Sequence, residues 1–170
     1  MTELRDILIL ICAYLIGNLS SGYLVGRFKK IDIRQYGSGN IGATNVLRTL
    51  GVLPSLITLI LDIGKGVLAV VLAKGLTGNP WVIAFSGIMV IVGHNWPVFL
   101  GFKGGRGVAT AFGVLLALMP SVALFVAIIW LFLVVVTRYI SVGSIGAGIS
   151  VPIAAWLVGE PKQSIFIGGV

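Results

Sequence analysis

The segment LPSLITLILDIGKGVLAVVL, residues 53–72, decides the fold class of this chain. Its only charged residues are Asp62 and Lys65, and most of the others are apolar. Because a helix needs about 20 mainly apolar residues to cross the hydrocarbon core of a bilayer, this segment predicts a membrane-spanning helix. Similar apolar runs predict further helices over Leu4–Gly26, Trp81–Leu100, Val108–Val136 and Ser141–Val158.

The composition supports the same fold class. The chain is 58% hydrophobic and 10% charged, with a mean hydropathy of +1.10. Soluble domains carry about 25% charged residues, so this composition excludes a soluble domain as the main part of the chain. We therefore expect an all-α, polytopic transmembrane helix bundle that forms a single integral membrane domain over residues 1–170.

The number of helices depends on the longest apolar run. Val108–Val136 is long for one span and short for two, and Met119-Pro120 interrupts it. Proline is tolerated in the first turn of a helix, so two short helices meeting near Pro120 and one kinked helix are both compatible with the run. A further apolar run begins near Ser164 and is still in progress at Val170. About six helices are expected in this sequence.

The positive charge predicts orientation rather than a nucleic-acid partner. The net charge is +7, and cytoplasmic loops of membrane proteins are enriched in Lys and Arg. Basic residues concentrate after the first and third predicted helices, which places both loops in the cytoplasm and the N-terminus outside. These residues are Arg27, Lys29, Lys30, Arg34, Arg48, Lys103 and Arg106. With one His and one Cys, no Cys/His zinc site and no other metal site are expected.

Two glycine-rich segments predict a phosphate site at the membrane surface. The first is GSGNIGATNVLR, residues 37–48; the second is GHNWP, residues 93–97, followed by GFKGGRG, residues 101–107. Glycines let backbone N–H groups converge on one point, and the neighbouring cations attract an anion. Because both segments belong to loops on the same side of the membrane, we expect them to form one site.

The first segment matches G-x-G-x-x-G over residues 37–42, but no strand or βαβ unit surrounds it, which excludes a dinucleotide fold. The alternatives are a flexible loop and a phosphate loop. The second segment is not a Walker A loop, and its Lys103 and Arg106 fit either phosphate binding or anchoring to lipid headgroups. The helix that opens at Val108 would also point its N-terminus at a bound anion.

Three ionisable residues lie at helix ends or inside apolar runs. His94 is the only histidine, and an acid–base role and a structural role fit it equally well. Asp62 and Lys65 are three residues apart, so they share a helix face and can neutralise each other. At membrane depth such a pair is either functional or purely structural.

Three stretches in the same order resemble the bacterial acyl-phosphate:glycerol-3-phosphate acyltransferase family. They are GSGNIGATNVLRTLG from residue 37, LDIGKG from residue 61 and GHNWPVFLGFKGGRGVAT from residue 93. The resemblance implies a seven-helix enzyme of the bacterial inner membrane with a cytoplasmic active site. It implies acyl transfer from acyl phosphate to the 1-hydroxyl of sn-glycerol 3-phosphate, giving lysophosphatidic acid and phosphate. No cofactor, acyl-CoA or acyl carrier protein is implied.

The resemblance also implies residue roles. Ser38, Arg48 and Lys103 match family residues that hold substrate phosphates, and with His94 they form the predicted catalytic set. Asp62 and Lys65 are expected to support the site from membrane depth. Arg106 stands where the family usually has Lys. The predicted phosphate-binding residues are Gly37, Gly39, Asn40, Gly42, Thr44, Asn45, Gly104, Gly105 and Arg106.

The remaining expectations concern the C-terminal motif, the proton acceptor and the competing function. The family's third motif, an Arg-His…Asn-Ile segment after the last helix, is not reached by Val170, so the C-terminal helix and that motif are expected to be missing here. For the attacking hydroxyl, a substrate phosphate is favoured over His94 as the proton acceptor. The competing function is a membrane transporter for an organic phosphate, although no internal repeat supports it.

Overall fold

The structure is a computed structural model that describes residues 2–160, and these residues form α-helices and no strand. The all-helical prediction is confirmed. The predicted run that begins near Ser164 lies outside the described residues. The helices are α1 Thr2–Gly17, α2 Ser21–Phe28, α3 Ala43–Leu50, α4 Val52–Leu76, α5 Pro80–Asn95, α6 Val108–Leu118, α7 Pro120–Thr137 and α8 Ile140–Val158.

Five stretches within residues 2–160 are long and apolar enough to cross a membrane. They are α1 with α2 as one broken span, α4, α5 with the turn that follows it, α7 and α8. Helix α6 has 11 residues, a length of about 16 Å against a hydrocarbon core of about 30 Å. The long run is therefore two helices, with Pro120 in the first turn of α7, where its missing N–H costs no hydrogen bond.

The first span differs from the continuous helix predicted over Leu4–Gly26. The helix stops at Gly17 and restarts at Ser21. Asn18 bridges this break to the rest of the bundle: its amide nitrogen donates to the Tyr14 carbonyl at 2.7 Å, and its amide oxygen accepts from the Val98 N–H at 2.6 Å. Irregular backbone at membrane depth needs such internal partners, since lipid offers none.

Glycines set how closely the helices approach. The tightest helix pairs are α1 with α5, α4 with α6, and α7 with α8. Gly17 of α1 and Gly93 of α5 face each other, so that a Cβ on either one would collide with the other helix's backbone. Gly66 of α4 meets the Thr110 carbonyl of α6 in the same way. Small residues at such crossings let backbones pack closely where lipid supplies no hydrophobic drive.

Gly66→Ala is expected to destabilise the bundle by about 1–3 kcal/mol, because the new Cβ would force α4 and α6 apart. Gly64→Ala on the same helix is the matched control, since nothing lies within 4 Å of a Cβ there. That control should be neutral or gain up to about 1 kcal/mol of helix propensity. Thermal unfolding in detergent measures both, and equal melting temperatures would contradict the close α4–α6 contact.

Candidate functional site

The first glycine loop, residues 36–42, needs glycine for its backbone. Gly37 and Gly39 have φ values of +60° and +71°, in the left-handed region that L side chains seldom adopt. The loop follows a short 3-10 helix, Ile33–Gln35, whose first turn is capped by Asp32 accepting from the Arg34 N–H.

The buried side chain of Asn45 holds this loop together through hydrogen bonds to its backbone. It is 2% exposed, and its amide nitrogen approaches two loop carbonyls, those of Tyr36 and Asn40, at 3.0 and 2.9 Å, and the carbonyl of Ile33 in the preceding 3-10 helix at 3.3 Å. Its amide oxygen accepts from the Ser38 N–H at 2.9 Å. Both ends of the amide are thus occupied by backbone, so Asn45 fixes the shape of the loop in this conformation.

Helix α3 carries the other polar residues of the first segment. The Asn40 side chain accepts from the N–H of Gly42, the residue that caps α3, at 2.7 Å. Thr44 and Arg48 are four residues apart and lie on one face of α3. Arg48 is exposed, and its guanidinium makes no hydrogen bond or ion pair with any residue between 2 and 160.

The second glycine loop, residues 101–107, is pinned to the end of α5. The Gly104 N–H donates to the Asn95 carbonyl at 3.1 Å, and the Gly105 N–H donates to the His94 carbonyl at 3.0 Å. These two N–H groups are therefore not free for a phosphate. The flanking cations are the available donors, since Lys103 and Arg106 are exposed and have no partner within residues 2–160.

The same pattern holds in the first glycine loop. The N–H of Ser38 is bonded to Asn45, that of Gly39 to the Tyr36 carbonyl at 3.0 Å, and that of Gly42 to Asn40. These three N–H groups are thus bonded within the protein in this conformation, and phosphate binding by the first glycine loop stays a prediction. The glycines serve conformation and close packing, and the Ser38 hydroxyl remains exposed.

The two glycine loops meet at one cavity of about 430 Å³. Pockets of roughly 300–1,000 Å³ are typical of small-molecule sites. Of the predicted residues, Gly39, Lys103 and Gly104 line this cavity; Ser38, Arg48 and Arg106 are exposed on the same segments but are not among its lining residues. The lining is Asp32, Arg34, Gln35, Gly39, Lys103 and Gly104.

The Asp32–Arg34 ion pair at this cavity is absent from the sequence-based predictions. The Arg34 guanidinium donates to both carboxylate oxygens of Asp32, with a shortest distance of 2.7 Å, and lies 4.9 Å from the centre of the Tyr23 ring. These bonds lower the pKa of Asp32 to about 2 and raise the pKa of Arg34. Asp32 thus stays ionised near neutral pH and neutralises Arg34, which leaves Lys103 as the unpaired charge lining the cavity.

The predicted membrane-depth pair is confirmed as an ion pair, with 2.9 Å between Lys65 Nζ and Asp62 Oδ1. His94 joins it, because its Nδ1 lies 2.7 Å from Lys65 Nζ. All three side chains are buried, and none lines the cavity. Residues 2–160 contain no group of three or more His, Cys, Asp or Glu arranged to hold a metal ion.

A sequence profile of the family described as glycerol-3-phosphate acyltransferase matches residues 7–170. The chain belongs to the glycerol-3-phosphate acyltransferase family. A family member from Moorella thermoacetica, glycerol-3-phosphate acyltransferase 2, is 51% identical over 86% of this chain and 75% of its own. The glycerol-3-phosphate acyltransferase of Desulforamulus reducens is 49% identical over 96% of this chain and 82% of its own.

Solved structures of the glycerol-3-phosphate acyltransferase family agree with the fold. Crystal structures of PlsY (YgiH), an integral membrane glycerol 3-phosphate acyltransferase, match with TM-scores of 0.91 for the glycerol 3-phosphate form and 0.90 for the lysophosphatidic acid form. Each is 41% identical, with 96% of this chain and 82% of the other covered. The predicted resemblance is confirmed, and the protein is an integral membrane acyltransferase.

Proposed function

We propose that this acyltransferase transfers a fatty acyl group from acyl phosphate to the 1-hydroxyl of sn-glycerol 3-phosphate, giving lysophosphatidic acid and phosphate. The observation that carries the proposal is the cavity where the two glycine loops meet, which has Lys103 on its wall. Arg48 and Arg106 belong to the same two glycine-rich segments, and none of the three cations has an acidic partner among residues 2–160. Both proposed substrates bring a phosphate that such cations bind. The reaction would be the first acylation step of phospholipid synthesis.

The size of the loops favours acyl phosphate over acyl-CoA or acyl carrier protein. The longest connection at this end joins α2 to α4 and is itself partly helical, containing Ile33–Gln35 and α3. Acyl-CoA would require a pocket for a large nucleotide, whereas acyl phosphate requires only an anion site beside the bilayer. The fatty chain would lie among the apolar helix faces and the phosphate at the glycine loops.

The chemistry requires no covalent enzyme intermediate. The 1-hydroxyl oxygen attacks the acyl carbon, the bond between that carbon and the bridging phosphate oxygen breaks, and the phosphate leaves with the electron pair. The hydroxyl proton passes to a phosphate oxygen of a substrate. The enzyme's part is to hold two anions side by side and to neutralise the leaving phosphate, for which Lys103, Arg48 and Arg106 supply charge and Ser38 a hydroxyl.

We place the protein in the bacterial inner membrane, and its charge distribution supports an orientation with both glycine loops in the cytoplasm. The loop between α2 and α3 carries Lys29, Lys30 and Arg34, and the second glycine loop carries Lys103 and Arg106. This excess follows the positive-inside rule. With α1 and α2 as one span, the N-terminus lies on the outer side.

The choice of acyl donor tests the proposal. Purified protein in liposomes should convert labelled sn-glycerol 3-phosphate to lysophosphatidic acid with palmitoyl phosphate and not with palmitoyl-CoA at the same concentration. Membranes from cells carrying an empty vector control for contaminating acyltransferases. Equal or faster turnover with palmitoyl-CoA would contradict the donor assignment, and accumulation of glycerol 3-phosphate inside the liposomes without product would indicate a transporter.

A further inference from the structure

Asp62, Lys65 and His94 form a buried polar cluster between the two glycine loops. Their exposed fractions are 1%, 5% and 3%. Lys65 Nζ donates to Asp62 and also to the carbonyls of Gly17, at the end of α1, and Leu19, within the break between α1 and α2, at 3.2 and 2.8 Å. Burying charged side chains at membrane depth costs free energy, so residues of this kind are candidates for a functional role.

His94 connects the cluster to the second glycine loop. Its carbonyl accepts from the Gly105 N–H, and its ring lies against the Gly105 backbone so closely that a Cβ on Gly105 would collide with Nε2. Gly105 sits between Lys103 and Arg106. The position of the imidazole therefore sets the position of the segment that carries both cations.

Ser21 connects the cluster to the first glycine loop. Its hydroxyl donates to Asp62 Oδ1 at 2.9 Å, at the first residue of α2. The next residue, Gly22, packs so tightly on the Ile41 carbonyl that a Cβ there would collide with it. Ile41 belongs to the first glycine loop, so Asp62 reaches that loop through the start of α2.

The contacts of His94 do not suit a general base. Nδ1 lies 2.7 Å from Lys65 Nζ and 3.6 Å from Asp62 Oδ1, so the other two members of the cluster occupy that side of the ring. Nε2, on the other side of the ring, faces the Gly105 backbone. Both ring nitrogens thus face groups of the protein, and His94 does not line the cavity.

We infer that Asp62, Lys65 and His94 are positioning residues, which fix the spacing of the two glycine loops so that the two substrate phosphates are held side by side. The inference rests on the proposed function. His94 acts through Gly105 on the cation loop, and Asp62 acts through Ser21 on the first glycine loop. One buried cluster thus sets the geometry of both halves of the site.

Three variants separate positioning from proton transfer. His94→Asn keeps a hydrogen-bonding group where Nδ1 lies but cannot act as a base, whereas His94→Leu has a similar volume and no hydrogen-bonding group. Ser21→Ala removes only the hydroxyl that ties α2 to Asp62. Ser86→Ala is the matched control, because Ser86 is buried on the same helix as His94 and bonds only to the Ile83 carbonyl of its own helix.

We expect kcat/KM for glycerol 3-phosphate to stay within about tenfold of wild type in His94→Asn. In His94→Leu it should fall at least about another tenfold, which is the change that one lost charge-assisted hydrogen bond produces. Ser21→Ala should lose about five- to tenfold, and Ser86→Ala should match wild type. The dependence of kcat/KM on pH at its acidic end (the acid limb of the pH profile) should be the same in His94→Asn as in the wild type.

Two results would overturn the inference. The first is a His94→Asn rate as low as that of His94→Leu, or a His94→Asn profile without its acid limb, since both indicate proton transfer by His94. The second is a wild-type kcat/KM in Ser21→Ala, a small truncation that remains informative if His94→Leu does not fold. Wild-type protein that makes no lysophosphatidic acid from palmitoyl phosphate would instead refute the proposed function.

Discussion

Lys103→Ala is expected to lower kcat/KM for glycerol 3-phosphate by about ten- to over a hundredfold, while the protein still folds. The side chain is exposed, lines the cavity and has no partner among residues 2–160, so its removal costs the fold nothing. It would, however, remove a charge-assisted contact to a phosphate, worth about 1.5–3 kcal/mol. Arg48→Ala should show a loss of the same order, because the proposed function has the exposed Arg48 guanidinium, which has no partner among residues 2–160, bind a substrate phosphate.

Lys29→Ala is the matched control for both substitutions. Lys29 is an exposed cation on the same end of the bundle, but it neither lines the cavity nor belongs to the glycine-rich segments at residues 37–48 and 93–107. Its kcat/KM should remain within about twofold of wild type, because surface charges away from the site contribute little once salt screens them. Steady-state kinetics with palmitoyl phosphate, run alongside thermal unfolding, gives the answer. Equal losses in all three variants would show that net charge alone matters, and wild-type kinetics in Lys103→Ala and Arg48→Ala would remove these residues from the site.

Asp62→Asn is expected to be the most destabilising single substitution in the buried cluster. It removes the negative partner of Lys65 while leaving the ammonium group buried at 5% exposure. Breaking a buried ion pair on one side typically costs about 3–5 kcal/mol, because the remaining charge is uncompensated. The melting temperature in detergent and the yield of folded protein should both fall sharply.

The double variant Asp62→Asn with Lys65→Met separates the cost of an unpaired charge from the cost of lost contacts. Methionine has a length similar to that of the lysine stem and carries no charge, so the double variant should recover much of the stability lost by Asp62→Asn. Its activity should remain low, since Lys65 would no longer hold the Gly17 and Leu19 carbonyls. A double variant no more stable than Asp62→Asn would show that the charge imbalance is not the cause.

The apolar runs alone determined the main outline of this protein. Runs of about 20 apolar residues are local features with few stable alternatives in a bilayer, and the predicted span at residues 53–72 became α4, Val52–Leu76. The pairing of Asp62 with Lys65 was predictable for the same reason, because residues three apart on a helix are neighbours whatever else the chain does. The ordered motifs were specific enough to indicate the family.

Only the tertiary structure decided where the first span breaks, which polar groups are free and what His94 contacts. The contact between Lys65 and His94 joins residues 29 apart, and that between Ser21 and Asp62 joins residues 41 apart. No periodicity in the sequence encodes such pairs, since they depend on how whole helices cross. Likewise, glycine and asparagine in a loop indicate turns and hydrogen-bond donors. Whether a given N–H faces a ligand or a carbonyl depends on the packed backbone. The Asn45 amide nitrogen and the Gly105 N–H both face carbonyls.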